Sequence, residues 1–120
     1  MTKKITIRKG QLGLLAKNGD YYRVLEAGEH RLPWFTTPDL LVVNLDGGEV
    51  PDELANWLRR YQPEWVERYC VIADLTDSEA GALYINGVLQ EILAPSTRRL
   101  YWKPVEEMHV MRMDTRQVQV

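Results

Sequence analysis

The stretch "ALYINGVLQEIL", residues 82–93, decides how this chain folds. Its two apolar halves flank Asn86-Gly87, a dipeptide that accepts the positive φ angles of a two-residue hairpin turn. The earlier stretch "LLAKNGDYYRVL", residues 14–25, carries Asn18-Gly19 at the corresponding place. A hairpin that recurs in similar surroundings indicates a copied unit.

The two hairpins belong to longer segments that match each other. With an offset of 68 residues, 12–46 aligns with 80–114 without a gap, and ten of the 35 columns are identical. Random pairing would give roughly two, so we predict a duplication. The identical pairs are Gly13/Gly81, Leu15/Leu83, Asn18/Asn86, Gly19/Gly87, Leu25/Leu93, Arg31/Arg99, Leu32/Leu100, Trp34/Trp102, Val42/Val110 and Asp46/Asp114.

Each unit is predicted to be β-structure. "KITIR" at 4–8 alternates apolar and polar residues, which is the period of a half-buried strand, and "LLVVNLD" at 40–46 is a longer apolar strand. The copies differ where Gly28 becomes Ser96. We expect the turn there to change shape, because serine disfavours the positive φ that glycine accepts.

The segment between the units, "VPDELANWLRRYQPEWVERYC" at 50–70, has helical spacing. Four residues fall at i, i+3, i+4 and i+7 and so form one apolar face: Leu54, Trp57, Leu58 and Tyr61. Pro63 suits the start of a further helix. We predict two short helices, at about 51–60 and 63–69, that pack on a β-layer.

The predicted fold is therefore α+β and β-rich, with two tandem hairpin-containing repeats bridged by two short helices. We expect residues 1–120 to form a single compact domain made of repeat 1 (about 3–46), a helical bridge (about 50–69) and repeat 2 (about 70–114). Because each repeat alone buries too little surface to be stable, we expect the two to pack with approximate internal twofold symmetry.

Composition excludes some classes of function. The net charge is −2, and a general nucleic-acid binder would show a clear basic excess, so we expect no nucleic-acid partner. No uncharged apolar stretch approaches the roughly 18 residues that span a bilayer, and the basic start of the chain lacks the apolar run of a secretory signal. The single cysteine cannot form an internal disulfide and fits a reducing compartment.

The residues capable of chemistry are scattered. His30 and His109 are not equivalent in the repeat, and they lack the spacing of metal ligands. Cys70 follows a predicted helix end, where the helix dipole disfavours a thiolate, so we expect a small buried side chain. Asp46 and Asp114 are repeat-equivalent and precede turn-like segments, where aspartate commonly accepts backbone N–H groups.

The tryptophans suggest a different kind of site. Trp34 and Trp102 occupy one repeat position, and we expect them to fill equivalent core pockets. Two further tryptophans lie near arginines at the predicted helix break. We favour core packing for them, and a partner surface is the alternative, because aromatic residues beside arginines are typical of protein interfaces. The candidate partner surface consists of Trp57, Arg60, Trp65 and Arg68.

No catalytic motif is present in the sequence. There is no phosphate-binding glycine loop, nucleophile elbow or zinc-protease signature, and "DGGE" at 46–49 lacks the lysine and the strand–loop–helix context of a phosphate loop. We therefore expect no enzyme, no catalytic residue, no metal and no cofactor. A hydrolase would need a cleft in which Asp46, Asp114 or the histidines converge.

The segment "ITIRKGQLGLLAKNGDYYRVLEAGEHRL", residues 5–32, resembles the N-terminal part of bacterial slipins, which belong to the stomatin/prohibitin (SPFH, or band 7) family. "ALYINGVLQEILAPSTRRLYW", residues 82–102, is similar to a degenerate second copy, as in the duplicated leader that precedes the band 7 domain. The resemblance implies a scaffold that assembles at membranes and regulates partners without chemistry of its own.

This resemblance also sets expectations about context. The membrane hairpin of typical stomatin-like proteins is absent, and so are the mixed α/β domain and coiled coil that follow in the family. We therefore expect an N-terminal fragment of a longer protein, cytoplasmic or peripheral at the cytoplasmic face of the inner membrane, with a protein partner or self-association. The alternative is a regulatory accessory module of a membrane protease system.

Overall fold

The structure, a computed structural model, describes residues 2–33 and 38–117. Their contacts divide the chain into two compact units, residues 1–45 (unit 1) and 46–120 (unit 2). Within the described residues there are ten strands, all paired antiparallel, and two α-helices. The β-rich α+β prediction is therefore confirmed. The helices belong to unit 2, and the prediction of one compact domain stays a prediction.

Unit 1 contains a three-stranded and a two-stranded sheet. Its strands are β1 (Thr2–Ile7), β2 (Gln11–Lys17), β3 (Asp20–Leu25), β4 (Gly28–Pro33) and β5 (Asp39–Asn44). The order β3-β2-β5 forms one sheet, and β1-β4 forms the other. Asn18 and Gly19 both have positive φ, as the predicted hairpin turn between β2 and β3 requires. The core of the unit is a cluster of Ile7, Leu15, Leu25 and Leu32.

Unit 2 contains the helices and five strands. Its elements are α1 (Asp52–Tyr61), α2 (Pro63–Tyr69), β6 (Cys70–Asp74), β7 (Glu79–Ile85), β8 (Val88–Leu93), β9 (Arg98–Trp102) and β10 (Met108–Asp114), followed by a 3-10 turn at Thr115–Gln117. The sheets are β10-β7-β8 and β6-β9. A cluster of Ala73, Leu75, Leu83, Leu93 and Tyr101 forms the core between them.

The chain just before α1 extends the smaller sheet of unit 2. Val50 N–H donates to the Leu100 carbonyl at 2.8 Å, and Trp102 N–H donates to the Gly48 carbonyl at 2.8 Å. Residues 47–50 therefore run antiparallel along the side of β9 that faces away from β6. The helices contact β6 and β9, so unit 2 is layered as helices, smaller sheet and three-stranded sheet.

Both predicted helices are confirmed. Helix α1 buries Ala55 and Leu58, and it is tied to β6 by two 2.7 Å hydrogen bonds from the Arg59 guanidinium to Asp74. Tyr61, predicted on the apolar face, is instead more than half exposed, because it is the last residue of α1 and lies beyond the buried face.

The two smaller sheets differ by a one-residue slip. In unit 1 Leu32 pairs with Lys3. In unit 2 the corresponding Leu100 pairs with Ile72, which lies one position beyond Val71, the repeat equivalent of Lys3. Because side chains alternate along a strand, a slip of one residue reverses the face of one strand relative to its partner. Leu32 accordingly joins the core of unit 1, while in unit 2 it is Tyr101 that does so.

The turn before the slipped strand has changed as expected. Gly28 has a φ of 133° and begins β4 two residues after β3, whereas Ser96 has a φ of 65° within a four-residue link from β8 to β9. Serine does adopt positive φ here, so the change lies in the length and shape of the turn. The longer link allows β9 to shift, and the strand face that carries Arg99 and Tyr101 consequently points to the core side of the sheet.

Candidate functional site

The predicted partner surface lies on the two helices. Trp57 and Trp65 are half-buried, whereas Arg60 and Arg68 are exposed. The Trp57 and Tyr61 ring centroids are 5.1 Å apart, and the Arg60 guanidinium lies 5.4 Å from the Tyr61 centroid. In α2, Arg68 lies over the ring of Tyr69 at 5.6 Å. Each helix thus carries its own arginine–aromatic contact, and a partner at these residues stays a prediction.

The two histidines and the cysteine have separate environments. His30 Nε2 lies 2.6 Å from the Glu26 carbonyl oxygen, and the His109 ring stacks on Tyr84 with 5.4 Å between centroids. Cys70 is buried, as predicted. Its burial raises the thiol pKa to about 11, against the opposing influence of the Lys103 and Arg59 charges.

Asp46 and Asp114 have the structural role predicted for them. Asp46 Oδ1 accepts the Gly48 N–H at 2.9 Å, and Asp114 Oδ1 accepts the Arg116 N–H at 2.9 Å. Both therefore close a turn two residues further along. The Arg116 side chain also donates to Asp114 and holds the pKa of that carboxyl below its usual range.

The repeat-equivalent tryptophans are only partly described. Trp102 is 6% exposed on β9, which fits the predicted core position. Trp34 lies outside the described residues, so the prediction of equivalent pockets is not settled for unit 1.

A cleft in unit 2 is the clearest concave feature of the described residues. Its volume is about 560 Å³, and it opens where β8 and residues 46–49 border the space between the two sheets. An apolar floor of Leu83, Ile85 and the Tyr101 ring meets charged walls. The cleft is lined by Asp46, Gly47, Gly48, Glu49, Leu83, Ile85, Gln90, Glu91, Arg99 and Tyr101, and we call it the Arg99 cleft.

Arg99 bridges the walls of this cleft. Its Nε lies 2.8 Å from Glu49 Oε1, and its Nη1 donates to Glu91 Oε2 at 2.8 Å and to the Tyr101 hydroxyl at 3.3 Å. The hydrogen bonds to Tyr101 and Glu91 hold the guanidinium pKa above its ordinary value. Three partners from three segments therefore fix the guanidinium in one place.

Sequence reasoning missed this network. Arg31 and Arg99 are an identical column of the repeat, but Arg31 is exposed and only Arg99 faces the interior side of its sheet. The difference follows from the one-residue slip of β9, which no residue pattern reveals. "DGGE" at 46–49, set aside as a phosphate loop, supplies one wall of the cleft.

The three-stranded sheet of unit 2 has a second apolar surface, facing away from the core. Leu83 and Leu93 point to the core, so the alternating positions and their cross-strand partners point the other way. We call this surface the outer face. It consists of Ala80, Ala82, Tyr84, Leu89, Ile92, His109, Met111 and Met113.

The outer face has a small central floor and larger rims. Ala82 lies between Met111 on β10 and Ile92 on β8 in the sheet register, and it is 2% exposed while they are 48% and 61% exposed. None of the eight residues is an acid, a lysine or an arginine. An antiparallel sheet with one solvated face normally alternates apolar and polar residues, and this sheet does not.

The described residues contain neither a metal-binding cluster nor a helix that could span a membrane. Within residues 2–33 and 38–117, no group of three or more histidine, cysteine or acidic residues is arranged to hold a metal ion. No helix in the described part is long and apolar enough to cross a bilayer. Comparison of the chain with family models, with curated proteins and with solved structures found no match.

Proposed function

We propose that this chain is a non-enzymatic scaffold module that associates with further copies of itself through the outer face of unit 2. The observation that carries the proposal is a largely apolar sheet surface with exposed rims and with no acid, lysine or arginine. Contiguous exposed apolar surface on a folded protein typically marks an interaction site.

A second copy suits this surface because the surface is compatible with itself. A twofold interface places the same patch on both sides, so every group must tolerate its own copy. Because the outer face has no acid, lysine or arginine, a twofold contact brings none of these charges together. The alanine floor of one copy can receive a rim side chain such as Ile92 from the other.

The size of the outer face indicates weak association. Three strands spaced about 4.8 Å apart and about six residues long cover roughly 300 Å². A stable interface buries about 800 Å² on each partner. One such contact would therefore hold two copies together only at high concentration.

The sequence resemblance supplies the setting of the proposal. If the chain is a slipin-like member of the SPFH family, this assembly takes place beside a membrane, with the module peripheral at the cytoplasmic face of the inner membrane.

The proposed duplication is supported by strand bounds, since β2 and β3 coincide with β7 and β8 at the 68-residue offset. Both hairpins also have a register shift at the same repeat position. The twofold relation between the units stays a prediction.

The proposal is tested by light scattering over a concentration series from ~10 µM to ~1 mM, the range expected for a small interface. We expect the mass of the wild-type chain to rise with concentration and Ile92→Lys to stay monomeric. Val105→Lys is the control, because Val105 is 85% exposed and lies outside the outer face. A concentration-independent monomer, or an Ile92→Lys variant that associates normally, contradicts the proposal.

The same experiment separates the alternatives. If Trp57→Ala and Arg60→Ala abolish association while Ile92→Lys does not, the helices carry the interface instead. The regulatory accessory module of a membrane protease system predicts a monomer on its own and a protease activity that co-purifies with the chain and depends on it.

A further inference from the structure

We propose that the Arg99 cleft binds an extended basic peptide segment of a partner protein. The cleft lies on the core side of the three-stranded sheet, opposite to the outer face, so this inference does not depend on self-association. Its volume of about 560 Å³ falls within the range of sites that enclose small ligands and side chains.

The hydrogen-bond donors of the cleft select a neutral acceptor. Arg99 uses Nε and Nη1 for its partners, and within the described residues its Nη2 has no hydrogen-bond partner. Tyr101 is 4% exposed and accepts from Arg99, so its own proton can be donated into the cleft. A peptide carbonyl oxygen accepts from such donors without carrying a charge.

The charges around the cleft exclude an anion and favour a cation. Asp46, Glu49 and Glu91 contribute three carboxylates, and Arg99 contributes the single positive charge among the lining residues. The guanidinium is already paired with two of the carboxylates. The net charge of the lining is negative, and a lysine or arginine side chain of the ligand lies favourably beside Asp46, the carboxylate that Arg99 does not pair with.

The shape of the cleft favours an extended chain over a compact ligand. It is bordered by two sheet edges, β8 on one side and residues 47–50 on the other, and its floor is apolar at Leu83 and Ile85. An extended segment alternates its side chains, so an apolar residue reaches the floor while the neighbouring basic residue reaches the acidic wall.

The test is fluorescence anisotropy with a labelled peptide, Gly-Lys-Val-Leu-Lys-Val-Gly, and a matched peptide with glutamate in place of both lysines. We expect the lysine peptide to bind at least ~10-fold more tightly, with affinity falling as salt is raised. Arg99→Lys keeps the positive charge but removes the Nη2 donor, so it should weaken the lysine peptide by at least ~3-fold. Arg31→Lys is the matched control, because Arg31 occupies the same repeat column and lies outside the cleft.

Further variants keep the proposal testable if Arg99→Lys does not fold. Glu49→Gln and Glu91→Gln keep an oxygen for Arg99 and each lower the negative charge, so each should weaken the lysine peptide by ~3- to 10-fold. The proposal is overturned if both peptides bind equally, if the lysine peptide does not bind at ~1 mM, or if these variants bind the lysine peptide as tightly as the wild-type chain does. Tight competition by lysine methyl ester alone would show a small-cation site and would also overturn it. A negative result with the peptides would not change how the mass of the chain in solution depends on concentration. Failure of the peptide proposal can therefore be distinguished from failure of the scaffold proposal.

Discussion

Raising the pH from 8.5 to 10.5 should destabilise this protein through one buried thiol. Burial raises the pKa of Cys70 from 9.0 to about 11 in the folded chain. Below pH 9 both states keep the proton, and the full stability is present. Between pH 9 and 11 the unfolded chain releases the proton and the folded chain does not, so stability falls as pH rises.

The size of the effect follows from the shift. One pKa unit corresponds to about 1.4 kcal/mol, so a shift of about two units removes about 2 kcal/mol between pH 8.5 and 10.5. The assay is urea unfolding at both pH values for the wild-type chain and Cys70→Ala. Any other contribution of pH to stability is common to both proteins and cancels in the difference.

The reasoning is refuted if the two proteins lose the same stability over this range. An independent check is the reaction of the folded thiol with a disulfide reagent at pH 8. Because only the thiolate reacts, the shift alone should slow the reaction by about 100-fold relative to the unfolded chain. A rate close to that of the unfolded chain would show that Cys70 is not held in the buried thiol form.

Three further predictions concern packing and turns, and chemical denaturation measures each. Gly13→Ala should cost about 1–2 kcal/mol and Gly81→Ala less, because the added methyl would lie 2.8 Å from its nearest neighbour at Gly13 and 3.0 Å at Gly81; an equal cost would contradict this. A double-mutant cycle of Arg59→Met and Asp74→Asn should give a coupling of about 1–2 kcal/mol, and a value near zero would show that the ion pair does not hold α1 on β6. Ser96→Gly should stabilise the chain by up to about 1 kcal/mol by relieving a positive φ, and a loss of stability would mean that the turn needs its serine.

The features that sequence predicts here are those controlled locally. The Asn-Gly turns need positive φ within two residues, and both hairpins formed where the dipeptides lie. The helices depend on a 3.6-residue period and on a proline that begins the second helix, and their bounds agree with the prediction to within one residue. Even the altered turn at Ser96 was visible as a substitution of glycine.

The features that sequence did not predict depend on register between distant segments. Arg31 and Arg99 share a repeat column. Because β9 is shifted by one residue, only the Arg99 side chain lines a cleft. The same applies to Glu49 and Glu91, which lie 42 positions apart and meet on one guanidinium. No local periodicity encodes such a meeting, because it depends on which strand faces which.

The nesting of the hairpins has a consequence for how quickly the chain can fold. In unit 1, β1 pairs with β4 across 20 intervening residues, but once β2 and β3 have paired, only residues 8–10 and 26–27 remain to be closed. Formation of the β2–β3 hairpin, a local event on the microsecond timescale, therefore already accounts for most of the entropy lost in closing that long loop. Unit 2 repeats the arrangement, with four residues on each side of the β7–β8 hairpin. Folding can therefore proceed outward from each Asn-Gly turn, with the inner strand pair forming before the outer one. A substitution that weakens either turn would slow folding more than it speeds unfolding.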